Sequence, residues 1–312
     1  MPSTSRQRLS AHLLLIAAVL VWGVTFPLVK SALSHITPLL FNLLRMAIAS
    51  AILLAINATT LRHLSRPQLK LGALAGLMLA AGYQFQTAGL AHTTPSKSAF
   101  ITGLVVVFVP LLAAIPGIAP ANTPRPGPSA YLGALLAFTG LVLLTTPPGS
   151  SRALLSGLGL GEILTLLCAL AFAGHLLTLA RAAHHLNARQ LGALQVTFAT
   201  LFMLLTLPLE AHPHALFTPT VLIALAVTAV LATAAAFTIQ SYAQQHIPAS
   251  HTALIVTLEP VFAWLTSLLF FHEHLGPRAL TGAALILAGI LLAELAPNFL
   301  RPNPPTANPL YP

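Results

Sequence analysis

Apolar residues gather into ten stretches along the chain, near 11–33, 38–58, 69–91, 98–116, 130–146, 159–180, 190–209, 219–243, 250–271 and 278–296. A bilayer's hydrocarbon layer takes about 20 apolar residues per helix. The pattern therefore predicts an all-α polytopic membrane protein with ten transmembrane helices, here numbered as spans 1 to 10. Proline and glycine fall between the stretches, at Thr37-Pro38, Arg66-Pro67, Thr94-Pro95, 116–128, Pro147-Pro148-Gly149, Pro213, Pro219, Pro248 and Gly276-Pro277. Proline opens a helix without losing a needed donor, so these positions read as helix starts and loops.

The pattern repeats. Residues 83–110 set against 237–264, an offset of 154, place Gln86 on Gln240, His92 on His246, Ser96 on Ser250, Ala99 on Ala253 and Ile101 on Ile255. Leu104/Leu258, Val107/Val261 and Phe108/Phe262 bring the identities to eight in 28 positions. Spans 5 and 10 share Gly133-Ala134 with Gly282-Ala283 and Gly140 with Gly289, at an offset of 149. The chain reads as two five-helix repeats, residues 1–148 and 156–296, followed by a disordered tail over 297–312. Five is an odd number, so the second copy enters the membrane from the opposite side and the repeats are inverted. Inverted halves can exchange conformations, which supplies two states of similar energy for alternating access.

Composition agrees with lipid as the solvent: 56% of residues are hydrophobic and 6% charged, with a mean hydropathy of +0.86. The net charge of +9 comes from basic residues scattered between spans, not from a stripe, which argues against a nucleic-acid partner. Alternate threading puts nine of them on one side (Arg6, Arg8, Arg62, Arg66, Lys70, Arg125, Arg181, Arg189, Arg301) and four on the other (Lys30, Lys97, Arg152, Arg278). By the positive-inside rule both termini are cytoplasmic. The single cysteine, Cys168, lies in span 6 and allows no intramolecular disulfide. The apolar start lacks a small-residue cleavage site before Trp22 and reads as the first helix. Small residues four apart, at Gly72/Gly76, Gly133/Ala137 and Ala284/Ala288, let helices approach closely within the chain or across a face shared by two copies, as in a homodimer.

Five carboxylates are present, all glutamates, and four of them (Glu162, Glu210, Glu273, Glu294) fall at span boundaries. Glu259 lies nine residues into span 9, roughly 13 Å deep at about 1.5 Å per residue. A charge there costs about 2.5 kcal/mol or more unless it is protonated, paired or facing a watery cavity. Thr252, Glu259 and Thr266 are spaced by seven, predicting one polar face on a continuous helix toward a central cavity, with Pro260 removing a donor beside the carboxylate. Glu259 then serves substrate or proton handling, or packs as a neutral acid. Arg45, within span 2, pairs with Glu259, binds an anionic group or snorkels along its stem. Trp22 and Trp264 sit mid-span, away from the interfacial belt, and line a pocket or fill space. Tyr83, Gln84, Gln86, Thr238, Gln240, Ser241 and Tyr242 place polar groups at matching levels of spans 3 and 8, for bonds between helices or to a ligand.

The thirteen histidines gather at span boundaries without a metal-ligand spacing. Gly157-x-Gly159-x-Gly161 lacks the strand and lysine of a phosphate loop. Nothing in the pattern asks for a metal, a cofactor or an ATP motor.

Trp22-Gly-Val-Thr-Phe-Pro27, Arg45, the run Thr94 to Pro110, Leu258-Glu-Pro-Val-Phe262 and Gly282 to Gly289 together resemble the EamA-type members of the drug/metabolite transporter superfamily, over nearly the whole chain. The resemblance implies ten helices in two inverted repeats, a central cavity formed mainly by spans 1, 3, 4, 6, 8 and 9, and spans 5 and 10 as scaffold. It also implies export or exchange of small, amino-acid-like or drug-like metabolites across a bacterial inner membrane. Such members carry Gly-Glu after span 9 where this chain has Phe271-His-Glu273, so Glu273 receives no role. The expectation is a secondary transporter for a small-molecule substrate, the alternatives being a passive facilitator or channel and, less in keeping with the acid-poor loops, a membrane-embedded enzyme. One glutamate against one arginine does not choose the sign of the substrate's charge.

Overall fold

The computed structural model describes residues 5–115, 117, 127–146, 158–183, 185–246 and 255–300, and these are helical apart from turns and one isolated bridge between Ile36 and Ala215. In order come α1 (Ser5–Ala32), α2 (Pro38–Asn57), α3 (Arg66–His92), α4 (Pro95–Thr102), α5 (Val105–Ala113), α6 (Pro128–Thr145), α7 (Leu160–Ala182) and α8 (Ala188–Thr206). They are followed by α9 (Pro219–Ala226), a π-helical stretch Val227–Ala235, α10 (Ala236–His246), α11 (Glu259–Phe271) and α12 (Pro277–Leu300). Among the described residues seven helical segments are long and apolar enough to cross a membrane. The others depart from that standard for visible reasons. The 27-residue α3 carries Gln68, Lys70, Gln84 and Gln86, and α11 and residues 277–293 are apolar but shorter.

Local chemistry sets the helix starts. Ser65 and Gln68 form a capping box on α3, Asn187 and Gln190 another on α8, and Thr94 and Thr218 accept from backbone amides of α4 and α9. Boundary glutamates finish the job from elsewhere in the chain. Glu210 accepts from Thr37 Oγ1 at 2.7 Å and from the Leu39 and Leu40 amides, closing the start of α2. Glu273 accepts from the Ser96 amide and Oγ at the start of α4, which gives it the structural role the sequence left open. Glu162 accepts from Thr93 Oγ1 and from the Gly159 amide. Lys30 Nζ donates to the Leu90 and Ala91 carbonyls that end α3. The glycine run before span 6 is thus a helix start: Gly161 lies against the backbone of Gly89 and His92.

Helix packing follows the repeat. The largest interface joins α6 to α12, spans 5 and 10. Other interfaces come in matched pairs: α3 with α7, matched by α1 with the 219–246 segment, and α4–α5 with α7, matched by α11 with α1. Each pair maps onto its match when spans n and n+5 are exchanged. In the α6–α12 contact Gly133 abuts Gly289 and Gly140 abuts Gly282, so these equivalent helices run antiparallel. The contact is self-complementary, as a two-fold relation requires.

Several expectations change. Span 4 is broken between α4 and α5 by a turn at Gly103-Leu104, and span 9 is broken at Thr257-Leu258, 154 residues on. Span 8 contains the π stretch, whose widened turns were not legible in the apolar run. Ala284 and Ala288 face outward; Gly282, Ile286 and Gly289 form the packed face of α12. Gly72 and Gly76 are used inside the chain, against Leu194 and Phe198 of α8. Helix α12 continues through Pro297 to Leu300, so residues 297–300 of the expected tail are helical; residues 301–312, Ser250, Thr252 and the repeat boundary at 147–156 lie outside the described residues.

Candidate functional site

The two breaks meet a partly open cavity between the halves. Its wall is built from matched positions of the two halves. Trp22, Thr25 and Phe26 of α1 correspond to Phe172, His175 and Leu176 of α7 at an offset of 150. Tyr83 and Gln86 of α3 correspond to Phe237 and Gln240 of α10, and Thr102 and Val105 at the first break to Val256 and Glu259 at the second, at an offset of 154. These seven pairs account for the lining among the described residues.

The pairs also make matched contacts. Trp22 meets Phe237 with ring centres 5.8 Å apart, and Phe172 meets Tyr83 at 5.3 Å, the same contact in the other half. Tyr83 and Phe237 meet edge to face at 6.3 Å, and His175 stands edge to face on Phe237 at 6.1 Å. Edge-to-face packing of this kind favours a fixed ring arrangement over a collapsed one. Trp22 Nε1 donates to the Ala232 carbonyl of the π stretch at 2.8 Å, which anchors the indole in the wall.

Chemistry breaks the symmetry. Glu259 stands where the other half has Val105, and His175 where it has Thr25. The break at Thr257-Leu258 puts Glu259 in the first turn of α11, where amides without helical partners and the helix dipole favour a negative group. Its carboxylate makes no hydrogen bond or ion pair with a described residue. The predicted stack of Thr252, Glu259 and Thr266 does not form across the described part of span 9. The turn interrupts the helical register, Thr252 lies outside the described residues, and Thr266 Oγ1 donates back to the Phe262 carbonyl.

Behind the wall lies a second layer. Arg45 is 3% exposed and does not snorkel: its guanidinium carbon sits 4.2 Å from the Tyr83 ring centre and its Nη2 donates to Thr233 Oγ1 at 3.0 Å. It pairs with a ring and a hydroxyl, not with Glu259, and is absent from the cavity lining. At the matching place on α8, 150 residues on, Gln195 Oε1 meets His175 Nε2 at 2.7 Å. Asn42 ties α2 to α3 by donating to the Tyr83 carbonyl and Gln84 Oε1 and accepting from Thr87.

Of the residues singled out from sequence, Trp22, Tyr83, Gln86, Gln240 and Glu259 converge on the cavity. Arg45 supports it from behind. Tyr242 packs on His246 at 4.3 Å, and Trp264 joins the apolar cluster around Phe100 and Ile290; neither lines the cavity. His175, Phe172 and Phe237 were missed. His175 is the exception to the boundary placement of histidines, lying deep in α7, and applying the repeat to spans 1 and 6 would have exposed it opposite Thr25.

The model of the EamA-like transporter family matches this chain twice, over residues 9–146 and 159–295. An uncharacterized transporter of Archaeoglobus fulgidus is 33% identical over 296 residues, covering 93% of this chain and 87% of its own length. The uncharacterized transporter YwfM of Bacillus subtilis is 26% identical over 289 residues, covering 92% and 94%. A solved crystal structure superposes with a TM-score of 0.65 at 20% identity, covering 94% of this chain and 99% of that one, which establishes a shared fold. The apolar helices make the chain a multi-pass membrane protein, and the two matched halves, arranged around one cavity, make it a member of the EamA-like transporter family.

Proposed function

We propose that the chain is a secondary transporter that exports or exchanges small organic solutes by alternating access. Ten helices would cross the cell membrane as two inverted repeats, 1–148 and 156–296, with both termini in the cytoplasm. The observation that carries this reading is the cavity wall made of seven matched pairs from the two halves. A site on a pseudo-two-fold axis can be opened toward either side by the same motion applied to the other half. Both helix breaks lie at this site, and discontinuous helices at the repeat interface are where transporters place their ligands. The antiparallel α6–α12 contact supports the inversion and gives the rocking halves a scaffold.

Glu259 is the candidate coupling group, because it presents to the cavity a carboxylate without a partner among the described residues. The test is metabolite-resolved efflux from cells making the wild type or Glu259→Gln, followed by uptake into proteoliposomes under imposed pH gradients. Uphill flux that depends on Glu259 is expected. Flux that only runs down its own gradient would indicate a passive facilitator, and equal behaviour of the variant for every solute would remove the coupling role.

A further inference from the structure

Resting on the transport reading, we infer that the cavity selects small organic monocations with an apolar or aromatic body, and discriminates against zwitterions and anions. The sequence offers one buried acid and one buried base and leaves the sign open. The structure separates them. Glu259 is in the wall without a partner among the described residues, while Arg45 is withdrawn behind Tyr83, its guanidinium held on the outer side of the ring and its Nη2 donating to Thr233. Lys30 is committed to the carbonyls ending α3. Counting histidine as neutral, Glu259 is the one charged side chain among the described residues of the lining.

The remaining wall suits a cation. Trp22, Tyr83, Phe172 and Phe237 line the space with linked aromatic rings, whose area offers apolar contact to the body of a ligand and, at the three rings that do not already carry Arg45, a π system that attracts a positive group. Gln240 is 5% exposed and its Oε1 has no hydrogen-bond partner, adding an acceptor at the wall and no positive charge. A ligand carboxylate would meet no cation among the described residues of the lining and would stand near Glu259, where like charges repel.

Three probes with the same ring and different charge test this on the purified full-length wild type: benzyltrimethylammonium, phenylalanine and phenylacetate, titrated by calorimetry and then used as labelled solutes in proteoliposome counterflow. Benzyltrimethylammonium is expected to bind at least about tenfold more tightly than the other two, and Glu259→Gln to weaken it by a similar factor. Equal or tighter binding of phenylalanine or phenylacetate, or no binding of the cation, overturns the inference. The comparison within the wild type decides the charge class even where Glu259→Gln fails to fold. Counterflow of phenylalanine or phenylacetate but not of the cation also overturns it and leaves the transport reading standing. Cation binding without counterflow of any probe keeps the cation site and defeats the transport reading instead.

Discussion

The Arg45 guanidinium sits over Tyr83 with its central carbon 4.2 Å from the ring centre, and this contact holds the buried base behind the cavity wall. The arginine thereby stiffens one wall of the site. Cation–π pairs are worth about 2 kcal/mol when desolvated, so Arg45→Met and Tyr83→Leu are each expected to destabilise the chain. Because each removes the same contact, the double variant should lose less than the sum, by about 1 kcal/mol. Unfolding of the four proteins by titrated denaturing detergent measures that coupling. Additive losses would show that Tyr83 and Arg45 act separately.

Glu210 and Glu273 hold helix starts, whereas Glu259 faces the cavity. Losing a charged cap costs about 1–2 kcal/mol. Glu210→Ala and Glu273→Ala should therefore lower stability while flux per folded molecule stays close to wild type. Glu259→Gln should do the reverse. Thermal unfolding paired with flux normalised to folded protein separates the two classes, and a flux loss in Glu210→Ala without a stability loss would contradict the capping role.

Gly127 and Gly276 precede α6 and α12, and a side chain added at either meets open space. If the repeats are inverted, these equivalent positions emerge on opposite faces of the membrane. In a Cys168→Ala background, Gly127→Cys is expected to react with an impermeant thiol reagent only after the cytoplasmic side is exposed. Gly276→Cys should react from outside intact cells. Labelling of both from the same side would remove the inversion.

The residues legible in the sequence were those whose polarity stood out from an apolar run: Glu259 and the Gln86/Gln240 pair named the cavity, and the offset of 154 named the equivalence of spans 3 and 8. Phe172 and Phe237 were silent because an aromatic residue in a membrane helix does not report which face it occupies. The helix break at Thr257-Leu258 was hidden for a related reason. Heptad arithmetic assumes an unbroken helix, so Thr252, Glu259 and Thr266 looked like a stripe, and the turn redirects the chain between the first and second of them. Arg45 shows the limit from the other side: its depth was readable, but its partner is a ring on the next helix, which no spacing encodes.

Close approach of α6 and α12 requires glycine at the crossing points, since a Cβ on Gly140 would enter the backbone of Gly282 and Ile286. Overpacking there costs about 1–3 kcal/mol or more. Gly140→Val is expected to cut the yield of folded protein sharply, while Ala284→Val, on the outward face of α12, should be tolerated. Size-exclusion profiles of the two variants check this, and a normal profile for Gly140→Val would mean the scaffold contact is loose.

The two-fold wall makes a stronger demand on Glu259. Val105 occupies its equivalent place beside the other helix break, with the same ring pairs on either side. A carboxylate moved from 259 to 105 would face the same cavity from the other half, in the first turn of α5 instead of α11. Glu259→Val alone should weaken benzyltrimethylammonium at least about tenfold, by loss of the charge. Adding Val105→Glu should bring binding back to within about threefold of wild type, and incompletely, because Tyr83 and Phe237 differ and Arg45 lies behind only one of them. Calorimetric titration of the single and double variants decides it. Failure of the folded double variant to regain any affinity would mean that the surroundings of Glu259, and not the charge in a symmetric frame, determine what the cavity holds.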